Sequence, residues 1–153
     1  MTGNIPPMVE YELRRVDGDA TLADAHAVRR AVFIDEQGVP EAVEMDDEDD
    51  NATHFVAFDP THGDPVGTTR IRELDDETAK IERVAVLPEH RGEGLGLRLM
   101  ERAEDEARAQ GYARVRLHAQ SAVEEFYESL GYRTVSEEFE EAGILHVEMT
   151  KEL

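Results

Sequence analysis

The sequence predicts a mixed α/β domain, and three observations predict it. Segments with period-two apolar alternation are interleaved with segments of helical periodicity. An apolar run, Ile81 to Leu87, passes through the glycine-rich segment Pro88-Glu89-His90-Arg91-Gly92-Glu93-Gly94-Leu95-Gly96 into a long charged amphipathic stretch, as in a strand–turn–helix unit. The chain of 153 residues has no internal repeat and no linker, which suits one domain over residues 1–153 built on one core.

The elements follow in order. Val9 to Leu13 alternates weakly and reads as a first strand. Thr21-x-x-Asp24 has capping-box character and opens a helix in which Leu22, Ala25, Val28 and Val32 fall near helical spacing; Gly38 and Pro40 end it. Met45 to Asn51 is acidic. As a calcium loop begun at Asp47 it fails, because Ala52 and Phe58 stand where the sixth-position Gly and the closing Glu are required, so it reads as a solvated loop. His54–Phe58, Val66–Leu74 and Lys80–Leu87 read as strands, with a turn cluster at Asp59–Pro65. Leu95–Gln110 is a helix with Leu95, Leu99, Ala103 and Ala107 on one face, stopped by Gly111. Val115 and Leu117 mark another strand. Ser121-x-x-Glu124 caps a further helix that Gly131 ends, and Tyr132–Phe139 with Ile144–Thr150 closes as a hairpin. The order is β-α-β-β-β-α-β-α-β-β.

Charge narrows the function. There are 36 acidic and 16 basic residues, a net charge of −20, and Lys80 and Lys151 are the only lysines. Such a surface repels itself at low ionic strength and is screened in concentrated salt. It points to a salt-loaded cytoplasm; a surface for a basic partner is the competing reading, and the spread of acids along the whole chain favours the first. It speaks against a general basic face for nucleic acid. Absence of cysteine excludes disulfides, thiolate metal sites and a cysteine nucleophile. No apolar run approaches a membrane span, and Met1–Pro7 lacks a basic region and an apolar signal core, so a cytoplasmic protein is expected.

The glycine segment is the most informative stretch. Glycines at 92, 94 and 96 leave a backbone free to turn its N–H groups toward one point, and the following helix adds open N–H groups and its positive dipole end, which together suit a phosphate or pyrophosphate. A P-loop is excluded because Leu97 and Arg98, not Lys-Ser/Thr, follow Gly96; a dinucleotide fingerprint is excluded because Leu97 and Leu99 stand where Gly or Ala is needed. A tight strand-to-helix turn is the plain alternative.

Strand, Arg91-x-x-Gly94-x-Gly96 and helix resemble the motif of the GNAT acetyltransferases. Downstream, Ala119 to Tyr132 is similar to that family's second conserved segment, a helix that carries a tyrosine and ends in Gly-Phe or Gly-Tyr. Val32-Phe33-Ile34-Asp35-Glu36-Gln37-Gly38-Val39-Pro40 and Glu140-Glu141-Ala142-Gly143-Ile144-Leu145-His146 resemble its ElaA-like branch. The resemblance covers nearly the whole chain. It implies a central, mostly antiparallel twisted sheet of about six to seven strands flanked by helices, and acetyl transfer from acetyl-CoA to an amine by direct attack in a ternary complex. It places the cofactor on the backbone of Val84, Ala85 and Val86, on Arg91, Gly92, Glu93, Gly94, Leu95, Gly96 and Arg98, and on Gln120, which stands where many relatives have asparagine. No metal is implied, and a monomer or homodimer is expected.

The resemblance also implies catalytic roles. Tyr127 takes the place of the tyrosine that protonates the departing sulfur; as a residue alone, it reads equally as a core tyrosine in a stripe with Val123, Phe126 and Leu130. Glu82 lies near where some members place a general base. On a regular strand it shares a face with Val84 and Val86, and burial would raise its pKa; an ion pair with a neighbouring arginine is the alternative. His90, Arg91 and Arg98 cluster around the loop and suit coenzyme A phosphates. The remaining histidines, His26, His54, His62, His118 and His146, read as structural, His146 having a further claim on an acceptor pocket formed by the first helix, residues 38–52 and the last hairpin. A coenzyme A-binding module without catalysis, and a nucleotide-phosphate binder, are the other classes considered.

Overall fold

A computed structural model describes residues 10–153. Its strands are β1 (Glu12–Arg15), β2 (Thr53–Phe58), β3 (Pro65–Glu73), β4 (Thr78–Val86), β5 (Arg114–Gln120), β6 (Arg133–Thr134), β7 (Phe139–Glu141) and β8 (Ile144–Glu152). Its helices are α1 (Asp19–Arg29), α2 (Glu41–Glu44), α3 (Leu95–Ala109) and α4 (Glu124–Ser129). The eight strands form one sheet in the order β1-β2-β3-β4-β5-β8-β6, with β7 also paired to β8. Every pair is antiparallel except β4 with β5. The mixed α/β, mostly antiparallel sheet expected from the sequence is therefore present. The part of the first strand assigned to Val9, and the reading of Met1–Pro7, lie outside the described residues.

Helices cover both faces. Val56 packs with Ala25 of α1, while its neighbour Ala57 packs with Leu95 and Leu99 of α3. Along α3 the predicted stripe Leu95, Leu99, Ala103 and Ala107 is fully buried, each leucine contributing about 1.5–3 kcal/mol. Gly111 ends that helix at φ 90°.

One irregularity reverses the predicted strand faces. Thr68 pairs with Ala85 and Arg70 with Glu82, so Thr69 of β3 alone opposes Arg83 and Val84 of β4. The extra residue forms a bulge in which Arg83 takes φ 57°, a left-handed backbone costing about 1 kcal/mol for a residue with a Cβ. Before the bulge Ile81 packs with Met100 and Ala103 of α3; after it Ala85 packs with Val28 and Val32 on the opposite layer. Glu82 thus shares the α1 face with Arg70, whereas Val84 and Val86 join the α3-side core. A common face for Glu82, Val84 and Val86 is corrected accordingly.

Three local expectations also change. Helix α1 begins at Asp19 after Gly18 without a side-chain cap, and Thr21 instead donates to Asp17 at 3.2 Å. It continues through a wider π-helical segment, Arg30–Glu36, to Gly38 at φ 75°. Ser121 does not cap α4: a short 3-10 turn, Ser121–Val123, intervenes, and the Ser121 hydroxyl is buried without a partner. The expected strand Tyr132–Phe139 is broken into β6 and β7, because Ser136 Oγ accepts the Glu148 N–H at 2.8 Å and interrupts the ladder.

Candidate active site

The parallel pair β4–β5 is joined only from Thr78–Lys80 to Arg114–Arg116. Beyond Lys80 the strands part, and the β5-facing edge of β4 has no strand partner. A cavity of about 360 Å³ opens in this gap. Val84, Ala85, Val86, Arg91, Gln120, Tyr127 and Glu82 line it, so these predicted residues converge on one space. Free backbone amides on such an edge can pair with an extended ligand that carries amides of its own.

The glycine loop leads out of the cavity. Gly92 and Gly94 both have φ 80°, with nothing within 4 Å of a Cβ built on either. Gly94 is the N-cap of the fifteen-residue α3, which has no side-chain cap and no acid in its first turn. Its first N–H groups are therefore open to an anion. Gly96 differs from its neighbours: it is helical, and its Cβ would meet the Phe126 ring at 3.4 Å, so the expectation of three equivalent glycines is corrected.

The three basic residues around the loop do not converge. Arg91 donates from Nε to the Val86 carbonyl at 2.9 Å and reaches both carboxylate oxygens of Glu36 at 2.8 and 2.7 Å. His90 Nδ1 lies 3.0 Å from the Tyr11 hydroxyl, which donates to Glu93 at 2.5 Å. This draws the Glu93 carboxylate toward Tyr11. Burial, with the Glu93 carboxylate beside it, pushes Tyr11 up to about 12. Arg98 donates to the Tyr11 carbonyl at 3.0 Å and lies in a separate shallow cleft with Leu13 and Glu101.

Tyr127 is buried in the main core beside Phe126 and Tyr132, with ring centroids 5.0 and 6.0 Å away, and still lines the cavity. Burial alone pushes its hydroxyl up to about 12, so it stays protonated across the working pH range. Val123, expected in the same core stripe, instead stands half-exposed on the cavity rim.

Glu82 sits in a web of cations. Burial pushes its carboxyl up, but the Arg72 hydrogen bond, Arg70 at 3.3 Å and Lys80 at 3.4 Å together outweigh burial and hold it below the ordinary range. The expected upward shift is thus reversed. The web extends into the acidic run, which is no solvated loop. Asp46 and Asp49 lie 2.7 and 2.9 Å from Arg70 Nη1, and Asp49 is also 2.7 Å from the fully buried Arg29. Burial raises Asp49, but the Arg29 hydrogen bond and charge, with His26 and Arg70, bring it down to about 2. Glu44 joins Arg29 at 3.0 Å to Arg83 at 2.8 Å, which ties the bulge to α2. Buried charges on this scale persist only when paired.

Sequence reasoning passed over much of the remaining lining. Phe33 and Gln37 come from the segment after α1, and Lys80, Arg83 and His118 from the sheet, whereas Val39, Glu44, Glu141 and His146 belong to the regions and the histidine expected to form an acceptor pocket. Gln120 donates to Gln37 at 2.9 Å and so bridges β5 to that segment. His118 Nδ1 lies 2.9 Å from Glu141, and Phe139 stands between His118 and His146, with centroids 5.1 and 6.0 Å away. The run of polar residues at alternate positions on β5, Arg116, His118 and Gln120, was the available signal. Among the described residues no group of three metal-ligating side chains converges.

Comparison with known proteins assigns the family. The acetyltransferase (GNAT) domain family matches residues 18–153. The uncharacterized N-acetyltransferase YjcF of Bacillus subtilis is 40% identical over 132 residues, covering 86% of this chain and 92% of its own. Protein ElaA of Escherichia coli is 33% identical over 130 residues, covering 82% and 84%. Its crystal structure aligns at a TM-score of 0.80 over 93% of this chain and 99% of that one, with 28% identity. An acyl-CoA N-acyltransferase from Pseudomonas aeruginosa aligns at 0.82 with 27% identity, covering 93% and 99%. Enzymes of this family use acetyl-CoA as acyl donor, and the open glycine loop and free β4 edge suit such a ligand. Family match, fold and relatives agree: this chain belongs to the GNAT acetyltransferases and is an acyltransferase.

Proposed function

We propose that the protein transfers the acetyl group of acetyl-CoA directly to an amine in a ternary complex. The single observation that carries this reading is the parting of β4 from β5, which opens one cavity lined by Tyr127, the unpaired β4 edge and Arg91. The pantetheine arm runs along Val84, Ala85 and Val86. The pyrophosphate lies on the N–H groups from Gly92, Glu93 and Gly94 into Leu95 and Gly96, with Arg91 at its side, Arg98 behind the helix start and Gln120 across the gap. The amine occupies the charged part of the cavity, near Glu82. Holding the two reactants together supplies much of the rate.

Tyr127 protonates the leaving thiolate. A hydroxyl at about 12 is a weak donor toward a thiol that titrates near ~8.5 in water. The same burial disfavours the thiolate, however, and so raises the thiol too, which narrows the gap. Glu82, ionised throughout, draws in the ammonium form of an amine; as a base acting through water it works against its own depressed proton affinity. The charge of −20 supports a salt-rich cytoplasm as the working environment.

The test is mass-spectrometric detection of acetylation across a panel of amines in high salt. The Tyr127→Phe variant should bind acetyl-CoA normally and lose ~10²–10⁴ in kcat. Acetyl-CoA binding without turnover of any amine would leave a coenzyme A-binding module in place of an enzyme.

A further inference from the structure

We propose that His146 is the group that takes the proton from the acceptor amine, an inference that rests on the acetyl-transfer reading. His146 is buried on β8 with Gln120 of β5 as one strand partner and Phe139 of β7 as the other. Its ring stacks on Phe139 at 6.0 Å and 22°. Its Nδ1 lies 2.7 Å from the carbonyl oxygen of Ile144. A carbonyl only accepts, so Nδ1 carries the proton of the neutral ring, and Nε2 keeps its lone pair. The residue lines the cavity that holds Tyr127. Stacking and the carbonyl bond together hold the ring in one orientation, which a proton acceptor needs.

The neighbouring candidates are engaged elsewhere. Glu82 is shared among Arg70, Arg72 and Lys80, and His118 faces the Glu141 carboxylate at 2.9 Å. The other titratable and charged groups that line the cavity are His118 from β5, Glu141 from β7, Tyr127 from α4, Lys80, Glu82 and Arg83 from β4, Glu44 from α2, and Arg91 from the glycine loop. Glu141, held below the ordinary carboxylate range first by its hydrogen bond from His118, lines the same cavity and is an anion available to an imidazolium there.

The step balances. Nε2 of His146 removes one proton from the ammonium and frees the nitrogen lone pair. Nitrogen attacks the thioester carbon, and the carbon–sulfur bond breaks. Sulfur takes a proton from Tyr127, and the tyrosinate recovers one from the nitrogen as the amide forms. The imidazolium then loses its proton to solvent, so ammonium and thioester give amide, thiol and one proton.

The test compares pH profiles of kcat/KM for an identified amine in wild type and His146→Asn, whose amide nitrogen keeps a donor for Ile144 and removes Nε2. Acetyl-CoA affinity by calorimetry and the thermal midpoint are measured on the same samples, and His146→Gln serves if the Asn variant does not fold. The variant should lose ~10²–10⁴ in rate at low pH and recover as pH approaches the amine's own ionisation, with acetyl-CoA affinity unchanged. A loss equal at every pH, or a profile matching wild type, overturns the proposal alone. A wild type that binds acetyl-CoA but acetylates no amine overturns the acetyl-transfer reading and this proposal with it.

Discussion

Arg91 and Glu36 form a two-point ion pair, at 2.8 and 2.7 Å, between the glycine loop and the end of the segment that follows α1. Both side chains are more than a third exposed, so the pair is worth about 0.2–1 kcal/mol. It occupies the guanidinium that the proposed pyrophosphate site requires. Glu36→Gln should therefore tighten acetyl-CoA binding by roughly two- to five-fold, while Arg91→Gln weakens it. Calorimetric titration of both variants checks this; weaker binding in Glu36→Gln would show instead that the pair holds the loop in its binding shape.

The two glycines at the start of α3 should respond in opposite ways. Gly94 sits at φ 80°, and an alanine there costs about 1–2 kcal/mol. Gly96 is helical with an ordinary contact to Phe126 at 3.4 Å, and alanine gains up to about 1 kcal/mol in helix propensity. Thermal melts should place Gly94→Ala below wild type and Gly96→Ala level with it or above. Because the new Cβ at Gly96 points to Phe126, acetyl-CoA affinity should hold there.

Acid should loosen the network around Arg29. Asp49 falls from 3.8 to about 2 on folding. A depressed carboxyl stabilises the fold above its unfolded pKa and loses that contribution as pH falls through the folded one. The contribution is roughly 2 kcal/mol, present above about pH 4 and lost toward about pH 2. Urea unfolding should show Asp49→Asn weaker than wild type by about that amount at neutral pH, with the difference shrinking below pH 4. A constant difference would assign the effect to lost geometry rather than charge.

Salt should raise stability. The net charge of −20 repels itself, and between ~0.1 M and ~1 M the screening length falls from about 10 to about 3 Å. The buried pairs of Arg29 and Arg70 are shielded from salt, so screening removes mainly surface repulsion. Thermal midpoints in KCl should climb steeply across that range; a flat response would favour a basic partner as the reason for the acids.

The amino-acid sequence by itself determined the strands and helices from β2 to β5, the buried stripe of α3 and the glycine turn from Arg91 to Gly94, because each depends on local periodicity and glycine placement. It also carried the family resemblance. Only the tertiary structure decided which face Glu82 occupies, since a single added residue at Arg83 inverts the alternation and is visible only against β3. The acidic run reads as solvated until Arg29, Arg70 and Arg83, distant in the chain, are brought against it. His146 has no sequence spacing that marks it. Its orientation comes from Phe139 and the Ile144 carbonyl, and its place in one cavity with Tyr127 from the gap between two strands that pair for three residues and then part.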